Sequence, residues 1–486
     1  MKIVIIGSGF SSLAASCYLA QAGFDVEVYE KNNTIGGRAR QLIKDGFTFD
    51  IGPTWYWMPD VFEKFFNDFD RKVSDYYSLE KLSPAYRVYF DKNDFIEIED
   101  SLNNIVETFE SLEKGSGQKL EVFIKEAKDN YDIAIKDLVY QPGDSITELI
   151  TVQTMLKVSQ FFTTISKTVK KRFKDNRLQQ ILEFPVLFLG AKPSNTPGFY
   201  NFMNYADFGL GTWHPKGGMF KVVEAMEDLA LELGVKFHLN SNVDKIFVEN
   251  NEAKGIRVDG AEIKADVVLS GADYHFTETL LEKSQRQYSE EYWDKKTFAP
   301  SSLLFYVGFD KKIQNVCHHS LFFDAPFEQH AVEIYDTKVW PENPLFYASF
   351  PSKTEDGLAP EGKETAIFLI PLATDLEDTP EIRELYFDKI ITRFEKLTNQ
   401  SVKNNIVVKE SYCVNDFKND YNSYKGNAYG LANILTQTAF LRPKIKSRKV
   451  DNLYFTGQLT VPGPGVPPSL ISGKIASQKI INENKL

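Results

Sequence analysis

Small residues near the amino terminus, followed by one carboxylate, have the types and spacing needed to bind a dinucleotide. Gly7 permits a tight turn after the apolar run 3–6, and Gly9 lets the backbone approach a pyrophosphate. The helix predicted over 13–22 then directs free N–H groups and a positive dipole end at the phosphates. Glu30 ends the next predicted strand, where an acidic side chain can bond an adenosine ribose. The pattern strand, turn, helix, strand and acid therefore predicts dinucleotide binding.

One position departs from this pattern. Ser12 stands where a third glycine is usual, and its side chain crowds the packing of helix on strand. Serine is small enough for the motif to be retained. The alternative is an ordinary strand-to-helix turn, which would leave the spacing of Glu30 unexplained.

Two further turns favour a flavin over a nicotinamide cofactor. Gly36 and Gly37 precede the cation Arg38, and residues 50–54 form another turn. FAD is longer than NAD and lies extended through a protein, so it needs backbone beside both its pyrophosphate and its ring. The alternative for Arg38 is a surface ion pair.

Composition limits the function classes. The chain has 486 residues, of which 43% are hydrophobic and 14% aromatic, and this aromatic excess fits a large apolar cavity or an aromatic core. The net charge of −11 gives no global basic field for nucleic acid. Cys17, Cys317 and Cys413 are too far apart for a CxxC zinc site and suit a reducing cytoplasm. We find no Ser/His/Asp or Cys/His set, and we predict no metal site.

The remaining elements are predicted to complete the first sheet and to add a second. A hairpin is expected at 84–98 and helices from 101 to about 204. The other predicted elements are strands of the first sheet near 235–248, 265–271 and 453–456, strands of a second sheet at 300–309, 344–350 and 365–372, and helices at about 219–233, 379–398 and 469–480.

The segment 149–174 deviates from the acidic background. It contains no Asp or Glu, and its apolar residues are predicted to share one face of a single helix: Val152, Met155, Val158, Phe162, Ile165, Val169 and Phe173. Such a basic amphipathic helix could lie flat in a membrane interface, or it could pack on the core with a solvated basic side.

With both ends of the chain considered, the sequence resembles the bacterial carotenoid desaturases of the phytoene type, within the flavin-containing amine oxidase and protoporphyrinogen oxidase group. The resemblance covers nearly the whole chain. It rests on GSGFSSL at 7–13 with Glu30, GGRA at 36–39, FDIGPT at 49–54, WHPKGGM at 213–219, SGADYH at 270–275, GNAYGL and QTA within 426–439, and FTGQLTVPGPGVPPSLISG at 455–473.

The resemblance implies an α/β fold in three parts. A Rossmann-like FAD-binding domain of the glutathione-reductase type would comprise 1–83, 211–285 and 440–486. A mixed-sheet substrate domain would comprise 84–100 and 286–439, and 101–210 would form a helical region that is a candidate for membrane contact. Gln458 stands where related flavoproteins often have an acid. The residues that would bind FAD are Gly7, Ser8, Gly9, Phe10, Ser11, Ser12, Glu30, Lys31, Gly36, Gly37, Arg38, Ala39, Gly52, Pro53, Thr54, Val243, Gly457, Gln458, Val466 and Pro467.

The implied reaction is removal of hydrogen pairs from a carotenoid such as phytoene, towards lycopene. A hydroxycarotenoid 3,4-desaturase would share the same motifs, and a flavin amine oxidase would need a polar entrance. Glu148 is conceivable as a proton acceptor, but no catalytic residue is assigned. A water-insoluble substrate implies a cytoplasmic enzyme bound peripherally to the inner face of the cell membrane, with oxygen or a quinone as electron acceptor.

Overall fold

The computed structural model describes residues 1–136 and 138–484. Their strands form a five-stranded sheet, a seven-stranded sheet and smaller sheets of three, two and two strands. The strands are β1 Lys2–Ile6, β2 Asp25–Tyr29, β3 Gln41–Lys44, β4 Phe47–Asp50, β5 Leu79–Lys81, β6 Tyr86–Asp91, β7 Asp94–Ile98, β8 Trp213–Pro215, β9 Lys236–His238, β10 Val243–Glu249, β11 Glu252–Val258, β12 Ala261–Lys264, β13 Val267–Ser270, β14 Ser301–Phe309, β15 His319–Phe322, β16 Phe346–Ser349, β17 Glu364–Leu372, β18 Ile406–Tyr412 and β19 Leu453–Phe455.

The helices lie between these strands, and seven of those described fall between 102 and 204. They are α1 Phe10–Gln21, α2 Pro59–Asn67, α3 Leu102–Leu112, α4 Ser116–Lys136, α5 Val152–Leu156, α6 Val158–Phe161, α7 Ile165–Arg172, α8 Asn176–Glu183, α9 Phe202–Asn204, α10 Met219–Glu232, α11 Tyr274–Thr279, α12 Glu290–Asp294, α13 Phe327–Val332, α14 Pro380–Thr398, α15 Val414–Tyr421 and α16 Val466–Asn484.

The five-stranded sheet is parallel throughout, in the order β19-β13-β1-β2-β9. Its central strand β1 pairs Ile3 with Val267 on one side and with Val26 on the other. This strand is buried on both faces, which explains its continuous apolar run. Because parallel strands end at the same edge of a sheet, the turns at Gly7 and Gly457 converge there.

Two glycines allow close packing around helix α1: Gly473 lets α16 approach it, and Gly271 lets it approach the end of β13. A Cβ atom on Gly473 of α16 would lie 2.3 Å from the carbonyl oxygen of Ser11 in α1. A Cβ atom on Gly271, just after β13, would lie 2.0 Å from the Ser12 hydroxyl. Because Gly271 has no side chain, it leaves room for the Ser12 hydroxyl. The serine therefore fits against the turn after β13 without displacing α1.

The seven-stranded sheet is mixed, in the order β18-β14-β17-β16-β15-β6-β7. Only β15 and β6 pair in parallel, and every other neighbouring pair among its described strands is antiparallel. Helix α14 covers one face, with the Phe394 ring 5.4 Å from that of Phe368 and the Phe387 ring 4.9 Å from that of Phe305. The opposite face carries Tyr347 and faces a cavity.

The single amphipathic helix predicted over 149–174 is wrong. The chain forms three short helices instead, α5, α6 and α7. Thr164 restarts the helix, because its side chain accepts a hydrogen bond from the backbone N–H of Lys167 at 3.3 Å. The apolar residues predicted to share one face divide into two groups: Ile165, Val169 and Phe173 are buried, whereas Val152, Met155, Val158 and Phe162 are exposed.

The predicted division into domains stays a prediction. All strands of the five-stranded sheet fall within the ranges assigned to the FAD-binding domain, and all strands of the seven-stranded sheet fall within those of the substrate domain. The predicted ranges also include residues 137, 485 and 486, which lie outside the described residues.

Candidate functional site

A cavity of about 840 Å³ runs from the carboxyl edge of the five-stranded sheet to the helical region. It brings together most of the residues predicted to bind the cofactor. Those that line it are Gly7, Ser8, Gly9, Phe10, Ser11, Glu30, Lys31, Gly36, Gly37, Arg38, Ala39, Gly52, Pro53, Thr54, Val243, Gly457, Gln458, Val466 and Pro467. Ser12 does not line the cavity, because its side chain is fully buried against Gly271. The assignment of these residues to a cofactor stays a prediction.

The turn between β1 and α1 has the features of an anion site. Gly7 has a φ of +86°, and a Cβ atom on Gly9 would meet nothing within 4 Å, so the backbone there faces open space. The first turn of α1 has no acidic residue and no side-chain cap. Its backbone N–H groups are therefore free to donate to a phosphate at the positive end of the helix.

Glu30 is buried beside this turn and holds it in place. One carboxylate oxygen accepts hydrogen bonds from the Ser8 backbone N–H at 2.9 Å and from the Ser8 hydroxyl at 2.7 Å. The other accepts from the backbone N–H and side-chain amide of Asn32, both at 2.9 Å. A ribose hydroxyl would share these lone pairs, so Glu30 both shapes the turn and faces the predicted ribose position.

Arg38 places a half-buried cation on the cavity wall. It belongs to no ion pair among the residues that the structure describes, and its partners are neutral: the Ser423 hydroxyl at 3.2 Å and the Asn427 carbonyl at 3.4 Å. With the Gln458 amide oriented towards it, the guanidinium also donates to that carbonyl oxygen at 3.1 and 3.2 Å. Burial lowers the pKa of Arg38, although the charge of Asp273 opposes this shift. A half-buried cation with no carboxylate at ion-pair distance among the described residues suits a pyrophosphate.

Gly52 shows why this turn cannot carry a larger residue. A Cβ atom there would lie 1.8 Å from the carbonyl oxygen of Arg38. The turn at 50–54 thus packs its backbone against the backbone of the turn at 36–38. This contact fixes the position of Arg38 on the cavity wall. An uncapped helix, an open glycine backbone and a half-buried unpaired cation together fit an extended flavin dinucleotide.

A buried hydrogen-bond chain lies farther along the cavity wall, and no motif in the sequence marks its residues. The Tyr347 hydroxyl, which lines the cavity, is 2.8 Å from the Thr54 hydroxyl and 2.7 Å from His319 Nδ1. The His319 ring stacks on Trp55 at 4.0 Å and 12°. Burial holds the pKa of His319 well below its usual range, so the imidazole is neutral. Only the long-range pairing of β15 with β16 brings these residues together.

The far half of the cavity is apolar. Its wall is built by the helical region and by α13, and it includes Met155, Val158, Phe161, Phe188, Phe202 and Phe327. It reaches the surface at Ile146, Ile150, Met155 and Val158, because these residues both line it and are more than half exposed. Together with the exposed side chains beside them they form an apolar rim, which we define as Ile146, Ile150, Val152, Met155, Leu156, Val158 and Phe162.

Two titratable groups on the wall have structural partners. The Glu148 carboxylate accepts from the backbone N–H groups of Gly143, Asp144 and Ser145 at 2.8, 2.9 and 3.2 Å. His330 accepts from Leu345 N–H at Nδ1 and lies 3.0 Å from a backbone carbonyl at Nε2. Burial lowers the pKa of His330 to about 4. Backbone N–H groups hold the Glu148 carboxylate in its loop, and Leu345 N–H occupies the Nδ1 lone pair of His330, so both side chains have structural partners.

Sequence comparison matches residues 10–481 to the family of flavin-containing amine oxidoreductases. The chain is 38% identical over 485 residues to a carotenoid 3,4-desaturase of Haloarcula japonica. This alignment covers 99% of this chain and 98% of that protein. It is 31% identical over 491 residues to a zeta-carotene-forming phytoene desaturase of Myxococcus xanthus. This second alignment covers 99% of this chain and 94% of that protein.

Solved structures support the same fold. An oxidoreductase from Methanosarcina mazei aligns with a TM-score of 0.63 at 19% identity, over 98% of this chain and 100% of that one. A cyclohexylamine oxidase from Brevibacterium oxydans aligns with a TM-score of 0.58 at 14% identity, over 99% of each chain. At these identities the likeness concerns the fold alone.

Proposed function

The chain belongs to the flavin-containing amine oxidoreductases and uses FAD, and from this premise we propose that it desaturates carotenoids. The relatives at 38% and 31% identity act on carotenoids by name and align over almost the whole chain. The substrate would be a polyene of the phytoene type, from which each step removes one pair of hydrogens.

The observation that carries this proposal is the continuity of the cavity. One cavity joins the predicted phosphate cradle at Gly7 and Arg38 to an apolar arm that opens at the apolar rim. A long hydrocarbon can enter such an arm with its middle beside the cofactor. An amine would instead need a polar entrance, and this opening is flanked by exposed apolar side chains such as Leu156 and Phe162.

The residues of the chain would contribute binding and orientation. FAD, when bound, takes up the hydrogens removed from neighbouring carbons. The aromatic wall, including Phe188 and Phe202, excludes water and holds the polyene extended. Trp55, fixed by its stack on His319, and Thr54, bonded to Tyr347, give a rigid wall beside the predicted ring position.

A second candidate is a carotenoid 3,4-desaturase, favoured by the 38% identical relative. Both candidates can be tested in cells that accumulate either phytoene or a hydroxylated carotenoid. A red extract whose mass has fallen by several pairs of hydrogens in the first host supports phytoene desaturation. Conversion only in the second host supports the 3,4-desaturase, and no conversion in either host by a flavin-loaded protein contradicts carotenoid desaturation. Gly7→Val, which forces a branched residue to a φ of +86°, is the flavin-poor control.

We also propose that the protein binds peripherally to the inner face of the cell membrane through the apolar rim. Leu156 and Phe162 are 79% and 84% exposed, which is unusual for two large apolar side chains on one short surface segment. Lys167, Lys170 and Lys171 are exposed on the adjoining helix α7 and would face anionic headgroups. No helix among the described residues is long and apolar enough to cross a bilayer. A substrate that dissolves in lipid would thus pass directly from the bilayer into the cavity.

Liposome binding tests this membrane proposal. Replacing Leu156 and Phe162 together with Glu should weaken binding at least about tenfold, because each side chain gains about 1.5–3 kcal/mol on burial. Lys170→Glu with Lys171→Glu should weaken binding to anionic but not to neutral vesicles. Val122→Glu, an exposed apolar site on α4, is the matched control. Equal sedimentation of all variants would refute the proposal.

The reduced cofactor would be reoxidised by oxygen or by a membrane quinone. Turnover measured without oxygen, with and without an added quinone, distinguishes these two acceptors. Activity that needs oxygen identifies the first, and anaerobic activity that needs quinone identifies the second.

A further inference from the structure

The cavity has a second opening, beside the predicted position of the adenosine ribose of FAD. Three segments frame this opening: 30–32 after β2, 241–243 after β9, and 420–422 at the end of α15. All residues of these segments line the cavity. The backbone N–H of Ser241 donates to the Glu30 carbonyl at 2.8 Å, which holds the first two segments side by side.

This opening is polar, unlike the apolar rim. Asn242 is exposed, and the residues beside it are half-buried. We define the cofactor mouth by its polar, cavity-lining residues, which are Lys31, Asn32, Ser241, Asn242, Asp420 and Asn422. A pyrophosphate that passed through the apolar arm would lose its water without gaining a partner, and this loss is very costly for a charged group. FAD would therefore enter and leave at the cofactor mouth, whereas a hydrocarbon would use the apolar rim.

The segment 420–422 closes the cofactor mouth from one side, and no motif in the sequence marks it. It ends helix α15 and bends at Asn422, which has a φ of +51°. Next to it, Lys31 Nζ donates to the Asn419 carbonyl at 2.6 Å, so the segment is tied across the mouth. Because its three residues line the cavity, the segment would cover a ligand bound there.

One ion pair joins this segment to the turn that carries Arg38. Arg40 Nη2 lies 2.5 Å from Asp420 Oδ2 and donates to the Tyr421 hydroxyl at 3.3 Å. The guanidinium groups of Arg38 and Arg40 lie 5.1 and 5.3 Å from the centre of the Tyr421 ring. The Arg40 side chain is 13% exposed and that of Asp420 is 37% exposed, so solvent screens the pair only in part.

We propose that 420–422 is a latch over the adenosine half of FAD, and that the Arg40–Asp420 ion pair sets how fast FAD enters and leaves. The latch covers the cofactor mouth while the pair is intact, and it frees the passage when the pair breaks. The proposal concerns retention of the cofactor and does not depend on which substrate is oxidised. Its failure would therefore leave carotenoid desaturation standing, and failure of carotenoid desaturation would leave the latch standing.

Two variants of opposite charge test the latch. Asp420→Asn removes a negative charge beside the cavity, and Arg40→Met removes a positive one. If the pair acted only through its charges on the cofactor, FAD release would slow in the first variant and speed up in the second. The latch predicts faster release in both, by about tenfold or more, because each variant loses a charge-assisted hydrogen bond. FAD binding should speed up as well, so that the Kd changes by less than about threefold.

Flavin fluorescence follows both rates. Release is measured on FAD-loaded protein mixed with an excess of a second apo-flavoprotein that traps free FAD, and binding is measured by mixing FAD-free protein with FAD. Lys418→Met is the matched control, because it removes an ion pair with Asp375 at 2.9 Å from the same helix, and neither residue lines the cavity. Both rates of the control should stay within about twofold of wild type.

The outcomes decide between a latch and a simple contact with the cofactor. Faster release and faster binding in both mouth variants, with an unaffected control, support the latch. Unchanged or slower release in either folded variant overturns it. Faster release without faster binding also overturns it, since the pair would then only contribute to affinity. Release that is equally fast in the control overturns it as well, since loosening of α15 would then be the cause.

Discussion

Arg38→Met tests whether the cradle was built for a pyrophosphate. Arg38 is half-buried, its hydrogen-bond partners are neutral, and no carboxylate among the described residues lies at ion-pair distance from it. A guanidinium hydrogen bond to a charged group contributes about 1.5–3 kcal/mol, and a guanidinium can make two of them with a pyrophosphate. The loss of two such bonds, about 3–6 kcal/mol, corresponds to a rise in the Kd for FAD of about a hundred- to ten-thousandfold, at 1.4 kcal/mol per factor of ten.

The same substitution should act oppositely on the FAD-free protein. Burial lowers the pKa of Arg38, which means that the charged form is disfavoured when no anion is present. Methionine removes that charge and keeps much of the volume. We therefore expect the unfolding midpoint of the FAD-free protein to rise, while that of the FAD-saturated protein falls.

Titration of FAD-free protein with FAD, followed by flavin fluorescence, measures the Kd, and thermal unfolding with and without FAD measures the two midpoints. Arg40→Met is the matched control, because Arg40 also contacts Tyr421 but pairs with Asp420 at 2.5 Å. The control should lose stability in both states and change the Kd by less than about threefold. A Kd for the Arg38 variant within about threefold of wild type would refute the reasoning.

Three further substitutions probe other parts of the structure. Gly52→Ala should abolish flavin loading, measured as the ratio of flavin to protein absorbance, because its Cβ atom would lie 1.8 Å from the Arg38 carbonyl. Burial raises the pKa of Asp207 to about 8, so the folded state keeps a proton that the unfolded state loses near pH 4, and stability is lost as pH rises through this window. Denaturant unfolding of Asp207→Asn should therefore show a gain over wild type of about 1.4 kcal/mol per pH unit between pH 5 and 8, levelling off above pH 8. Tyr347→Phe should lower the unfolding free energy by about 1–3 kcal/mol, since it strips partners from His319 and Thr54; an unchanged urea midpoint would show that this chain contributes nothing.

The elements that the sequence predicts well carry local signals. Strand β2, Asp25–Tyr29, ends one residue before Glu30, the residue predicted to end it, because an acid after the alternating run marks the end of the strand. Helix α14 begins at Pro380, as predicted from a proline near a helix start. The motif residues also gather in one cavity, since parallel strands place their following turns at one edge.

The parts that the sequence predicts poorly depend on long-range packing. Periodicity places Val152 and Val169 on one helical face, yet only tertiary contacts decide that Val169 is buried and Val152 exposed. Periodicity also fails to predict the break before Thr164, because a capping threonine inside an apolar run can start a new helix there.

The order of strands in the five-stranded sheet also determines when the cofactor can be bound. Its edge strand β19 and the helix α16 that packs on α1 come from residues 453–484, whereas β1 and α1 come from residues 2–21. Earlier-synthesised segments begin to fold before later ones appear, so β13 would keep one edge unpaired until residues 453–455 have been made. FAD would load only after Gly457 and α16 have been synthesised, and a chain stalled before Gly457 would be an aggregation-prone intermediate rather than a partly active enzyme.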